Sequence, residues 1–225
     1  MRKKWLLLIL LALALLIMLV LRLTGSHDKN DPADADTQDQ TAQTDENNTA
    51  DSSADDAAAV DYVVSTGVMS GDEDQNLFRP EYGVERSQFA VIMYRFAGGT
   101  PTAAEASFSD LTGDEWYYEY VKWMVGKGLM GGNGGAFDPG GFLSCEQALI
   151  VLYRLAGEPA ITGTLEDYPY APKVSASGKD AVTWAWNSGL ITEKECVWYP
   201  TQAVSRAQVA LLLMRYDALI GRNAA

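Results

Sequence analysis

Three short stretches of the chain have the residue types and spacing of a helix start built to do chemistry: Glu85-Arg86-Ser87-Gln88, Ser144-Cys145-Glu146-Gln147 and Ser205-Arg206-Ala207-Gln208. In the second and third, the serine and the glutamine three residues on are spaced as a capping box. The hydroxyl oxygen accepts from a first-turn amide and the glutamine side chain returns to the cap amide. The box explains the serine and the glutamine, but not Arg86 and Arg206. A cation in the first helical turn opposes the positive end of the macrodipole, at a cost of a few tenths of a kcal/mol up to about 1. Two chemistries offset that cost: the guanidinium and the helix start receive an anion together, or the guanidinium pairs with a neighbouring carboxylate.

Catalytic chemistry has little to work with. The single histidine, His27, lies in a polar stretch near the N-terminus, which leaves no histidine-based triad or metal cluster for the folded part. Asp72-Glu73-Asp74-Gln75-Asn76 is similar to a calcium loop, yet it lacks the turn glycine at its sixth position and carries Gly83 at the twelfth, where glutamate is needed. The reading is therefore a non-enzyme with no cofactor and no metal. The two cysteines, Cys145 and Cys196, are a candidate disulfide in an exported chain, subject to strict geometric limits.

The elements that must position these residues recur with them. Gly67, Pro80, Gln88 and Arg95 return as Gly128, Pro139, Gln147 and Arg154, and again as Gly189, Pro200, Gln208 and Arg215. The second interval is 61 residues at every marker. A fixed period of this kind means one supersecondary unit packed against copies of itself. Within each copy the apolar pattern is helical. Val60, Val63 and Val64 precede Gly67, Val121, Met124 and Val125 precede Gly128, and Val182, Ala185 and Trp186 precede Gly189, each glycine suited to a left-handed helix stop. The second segments read Phe89, Ile92, Met93, Phe96, then Ala148, Val151, Leu152, Leu155, then Val209, Leu212, Leu213, Tyr216, which are core faces. Loops closing on Phe78-Arg79-Pro80, Phe137-Asp138-Pro139 and Trp198-Tyr199-Pro200 join the two segments. Six short helices in three helix-loop-helix pairs give a mainly α domain.

Charge divides the chain further. Residues 1–23 carry Arg2, Lys3, Lys4 and Arg22 with no acid, residues 24–56 hold ten acids against Lys29, and the remainder has a net charge of −8 within a total of −13. The apolar run from Trp5 to Leu21 behind a basic flank predicts an export signal retained as a membrane anchor, the alternative being a cleaved signal peptide. Residues 24–56 read as a disordered acidic linker. The repeats are placed at 57–104, 105–164 and 165–222. An acidic surface argues against nucleic acid as a partner, since neutralising phosphates needs clustered Lys and Arg.

With Phe108-Ser109-Asp110, Trp116-Tyr117, Gly128-Leu129-Met130, Phe137-Asp138-Pro139 and the Ser-Arg-Ala-Gln helix start, the repeat resembles the S-layer homology (SLH) module of bacterial surface proteins. The resemblance covers about Ala57 to Leu219. It implies a pseudo-threefold bundle whose inter-repeat grooves bind an anionic secondary cell-wall polymer, often pyruvylated, without covalent chemistry. It also implies that Arg86 and Arg206 are ligand-binding and that Asp110 lines a groove. Cys145 stands where the second copy should have arginine, the third copy has Tyr168-Pro169-Tyr170 in place of Phe-x-Asp, and at most two competent grooves are expected. The functional expectation is a cell-surface module tethering membrane or envelope to the wall. The alternative is a protein-interaction scaffold in an envelope assembly, with degenerate carbohydrate grooves.

Overall fold

The structure, a computed structural model, describes residues 52–72, 77–193 and 198–221. Among the described residues six α-helices carry the architecture: α1 (Ser52–Ser65), α2 (Arg86–Phe96), α3 (Tyr118–Gly126), α4 (Cys145–Leu155), α5 (Lys179–Asn187) and α6 (Arg206–Ile220), with a 3-10 turn at Ala171–Lys173. α1 begins at Ser52, inside the stretch read from sequence as linker. No helix among the described residues is long and apolar enough to cross a membrane. The expected anchor Trp5–Leu21 lies outside the described residues, as does Cys196 and with it the candidate disulfide.

The first helix of each copy stops as its sequence dictates. Gly67, Gly128 and Gly189 sit at φ of 71°, 67° and 76°, a region that a Cβ disfavours. The apolar stripes are shifted slightly from the expected ones. Ala59 and Val63 are buried in α1 while Val64 is 47% exposed, and Val125 and Trp186 are only half-buried. The second helices are wrapped more completely: in α6, Val209 to Leu213 are all buried, so this helix has core on every side.

Helix pairing crosses the repeats. α2 packs on α3, α4 packs on α5, and α6 packs back on α1, so each second helix takes as its main partner the first helix of the next copy. Aromatic pairs mark two of these seams, Tyr94 meeting Tyr120 and Trp123 edge to face at centroid distances of 5.0 and 5.5 Å, and Tyr153 meeting Trp184 at a tilt at 5.7 Å. Such pairs contribute about 0.5–1.5 kcal/mol each beyond the area they bury. At the third seam the Tyr62 hydroxyl donates to Asp217 at 2.7 Å.

The centre is a ring of three hydrogen bonds. The amide of Val84 donates to the carbonyl of Val204, that of Val204 to Leu143, and that of Leu143 to Val84, at 3.0, 2.8 and 2.9 Å. All three side chains are fully buried. Each residue lies two positions before the helix of its copy, so the ring fixes where α2, α4 and α6 begin.

Candidate binding grooves

The glutamine arm of the capping box forms in all three copies. Gln88, Gln147 and Gln208 accept with their side-chain oxygens from the amides of Glu85, Ser144 and Ser205 at 3.2, 3.0 and 2.8 Å. In α4 and α6 the serine hydroxyls accept in return from Gln147 and Gln208, both at 3.2 Å. The next two donors at each helix start are taken by carbonyls from the loop of the following copy. Arg86 and Ser87 donate to Gly141 and Pro139, Cys145 and Glu146 to Gln202 and Pro200, and Arg206 and Ala207 to Tyr82 and Pro80. Backbone amides are therefore not open to an anion there, contrary to the idea that helix start and guanidinium receive one jointly. A peptide carbonyl from another repeat supplies the negative end that the helix dipole favours.

The arginines reach into the same loops. Arg86 donates from Nε to the Phe137 carbonyl at 2.8 Å and from Nη2 to Gly131 at 2.7 Å, with its guanidinium 4.9 Å from the centre of the Phe137 ring. Arg206 repeats this with Phe78 at 2.7 Å, Ser70 at 2.5 Å and the Phe78 ring at 4.6 Å. Burial pushes both guanidinium pKa values down, with Asp138 and Asp110 opposing the shift at Arg86 and Asp72 opposing it at Arg206. Among the described residues neither arginine makes the side-chain ion pair offered as the second chemistry; the tight partners are carbonyl oxygens. Nη1 of each makes no hydrogen bond among the described residues, and each arginine lines a groove.

Asp110 braces the corner that Arg86 holds from the other side. Its two carboxylate oxygens accept from the amides of Phe137 and Asp138 at 2.8 and 2.7 Å, and these bonds hold its pKa below the usual carboxylate range. Asp110 thus serves the Arg86 junction, across the boundary between the first and second copies. It does not face Cys145, which looks toward the third copy. In the first copy, Asp72 partly substitutes, accepting from the Leu77 amide at 3.2 Å and from Arg79 Nε at 2.6 Å.

Two junctions are open. Groove A, about 470 Å³, lies between the start of α6 and the loop of the first copy, and groove B, about 510 Å³, between the start of α2 and the loop of the second. The structure brings Arg86 and Asp110 together at groove B and puts Arg206 in groove A. The third junction is filled differently. The Tyr168 hydroxyl donates to the Trp198 carbonyl, the counterpart of the Phe137 and Phe78 carbonyls that the arginines bind. Cys145 is buried there, and neighbouring Glu146 accepts from the Ser175 amide at 2.8 Å. A tyrosine from the following copy has thus taken over the carbonyl that an arginine at position 145 would hold. Comparison with the Phe-x-Asp pattern flagged Tyr168 as a departure, but gave no sign that it compensates for Cys145.

The S-layer homology domain family profile matches residues 49–90 and 107–149. Two stretches of the chain thus match the S-layer homology domain; the third copy, beyond the matched residues, follows the other two in its backbone bonds. Among similar proteins, the "S-layer protein sap" of Bacillus anthracis is 24% identical over 171 residues, covering 74% of this chain and 20% of the relative. The "S-layer protein" of Bacillus thuringiensis subsp. finitimus is 22% identical over 179 residues, covering 74% and 21%. The "Surface-layer 125 kDa protein" of Lysinibacillus sphaericus is 29% identical over 143 residues, covering 61% and 12%. The chain therefore spans about a fifth or less of the curated relatives it matches. All three relatives carry surface-layer names.

Proposed function

We propose that the folded unit is a non-catalytic wall-binding module, located at the cell surface or wall, that holds an anionic secondary cell-wall polymer in grooves A and B. The observation that carries this reading is the pair of grooves that present guanidinium groups on a chain of net charge −13. Arg206 in groove A, and Arg86 with Asp110 in groove B, are the ligand-binding residues of this proposal. A carboxylate on the polymer, such as that of a pyruvylated sugar, meets the free Nη1 edge of either arginine. The S-layer names of the relatives support the same location and role. If the Trp5–Leu21 run is kept, the module ties the membrane to the wall across the acidic linker. The scaffold reading draws on one feature, the closed junction at Tyr168, and places a protein partner on the surface instead.

Co-sedimentation of the full chain with purified wall sacculi tests this. The chain is expected to pellet with intact sacculi, to stay in solution once acid has extracted the polymer, and to lose about ten- to a hundredfold in affinity in the double variant Arg86→Ala, Arg206→Ala. Equal pelleting with extracted sacculi favours the scaffold.

A further inference from the structure

Grooves A and B share a wall, and its rim is aromatic. Gly83 lines groove A, Phe142 lines groove B, and the two touch: a Cβ on Gly83 would lie 2.9 Å from Cδ1 of the Phe142 ring. The φ of Gly83 is not positive, so its backbone does not call for glycine. The close ring does. On the groove A side of the same glycine stands Tyr82, with the Arg79 guanidinium 5.3 Å from the centre of its ring. Both rings are more than half exposed, Tyr82 at 52% and Phe142 at 58%. Rings that remain so open add little to the core, and two of them flanking one glycine form a contact surface. In the third copy the residues ahead of Val204 are Gln202 and Ala203, so at these positions the rings belong only to the copies that meet between the two open grooves.

The two groove arginines are also near each other along the chain path. Arg86 follows Tyr82 by four residues, and the Arg206 amide donates to the Tyr82 carbonyl at 2.8 Å. Four residues reach at most about 14 Å, so the backbones of Arg86 and Arg206 lie within the span of a few linked sugars.

We infer that the rim joins grooves A and B into one track, so that a single polymer strand occupies both and crosses between them on the faces of Tyr82 and Phe142. This rests on the polymer-binding reading. A ring face takes the apolar C–H side of a sugar without requiring charge, which suits the sugars that link two held by arginines. Once one groove is filled, entry into the second becomes intramolecular, and the strand gains about a hundredfold or more in affinity over a fragment that fills one groove alone.

Calorimetry on the full chain tests this with two probes, single repeat units and longer fragments of the polymer purified from the same sacculi. Single units are expected to bind at two sites per chain, and a longer fragment to bind once per chain, at least about a hundredfold more tightly. Arg86→Ala, which empties one end of the track, is expected to remove that gap. Phe142→Ser is expected to narrow it at least tenfold, with circular dichroism confirming the fold of each variant. Two long fragments per chain, a gap below a hundredfold, or a gap unchanged in Arg86→Ala or Phe142→Ser overturns the track while leaving polymer binding intact. No binding of either probe, together with no pelleting on intact sacculi, overturns both readings.

Discussion

At the scale of residues, one carbonyl position is satisfied three times by two different side chains. Phe137 and Phe78 receive an arginine Nε, and Trp198 receives the hydroxyl of Tyr168. Burial pushes the Tyr168 pKa up, so the hydroxyl keeps its proton and remains a donor at any physiological pH. Tyr168→Phe keeps the ring and leaves a buried carbonyl without its donor, at a cost of about 1–3 kcal/mol. In a domain of this size the melting temperature is expected to fall by about 2–12 °C. Calorimetric melts check this, and an unchanged midpoint means that the carbonyl finds another donor. None of this was legible in the sequence, where Tyr168 reads only as a break in the repeat. Arg86 and Arg206 were legible as unusual because their cost is local, but the carbonyls that repay it lie 51 and 128 residues away.

At the scale of elements, the sequence spoke for stops and starts. Glycines at a fixed spacing end α1, α3 and α5, and glutamines at another fix the starts of α2, α4 and α6, because both devices act within a few residues. It did not tell which helix each apolar face meets, since a stripe records that a face is buried and not against what. For the same reason Val64, which falls in the stripe of α1, is 47% exposed. One local device escaped notice as well: ahead of α3, Glu115 accepts from the Thr112 amide at 2.7 Å, its hydroxyl at 2.9 Å and the Gly113 amide at 3.0 Å. Those bonds, chiefly that from the Thr112 amide, depress its pKa from 4.5 to about 2. Because the folded value lies below the unfolded one, the stabilisation is present in full above about pH 4.5 and is lost as the pH falls toward 2. Glu115→Gln is expected to lower the melting temperature at neutral pH, with the gap from the parent closing on acidification through that window. Thermal melts across a pH series check it, and a constant gap assigns the loss to packing alone.

At the scale of the whole molecule, pairing across repeats makes the fold all or none. The third copy supplies α6 to α1 and Arg206 to the first loop, so removing it exposes the apolar face of α1 and opens the central ring. A chain ending at Leu165 is expected to show no single sharp thermal transition by circular dichroism. A cooperative melt near the midpoint of the full chain would mean that two copies suffice. The period of 61 residues made a repeat architecture readable, but closure of the array into a ring depends on α6 returning to α1. That return also frees the fold from the order in which its parts are strung. α1 and α6 run antiparallel, Tyr62 meeting Asp217 while Ser70 meets Arg206, so α6 runs back along α1 in the direction of its beginning. The seam between them is one of three alike, and the other two are bridged by surface loops at 97–117 and 156–178. A circular permutant that joins Ile220 to Ser52 by a short linker and opens either loop keeps every seam, every groove wall and the central ring.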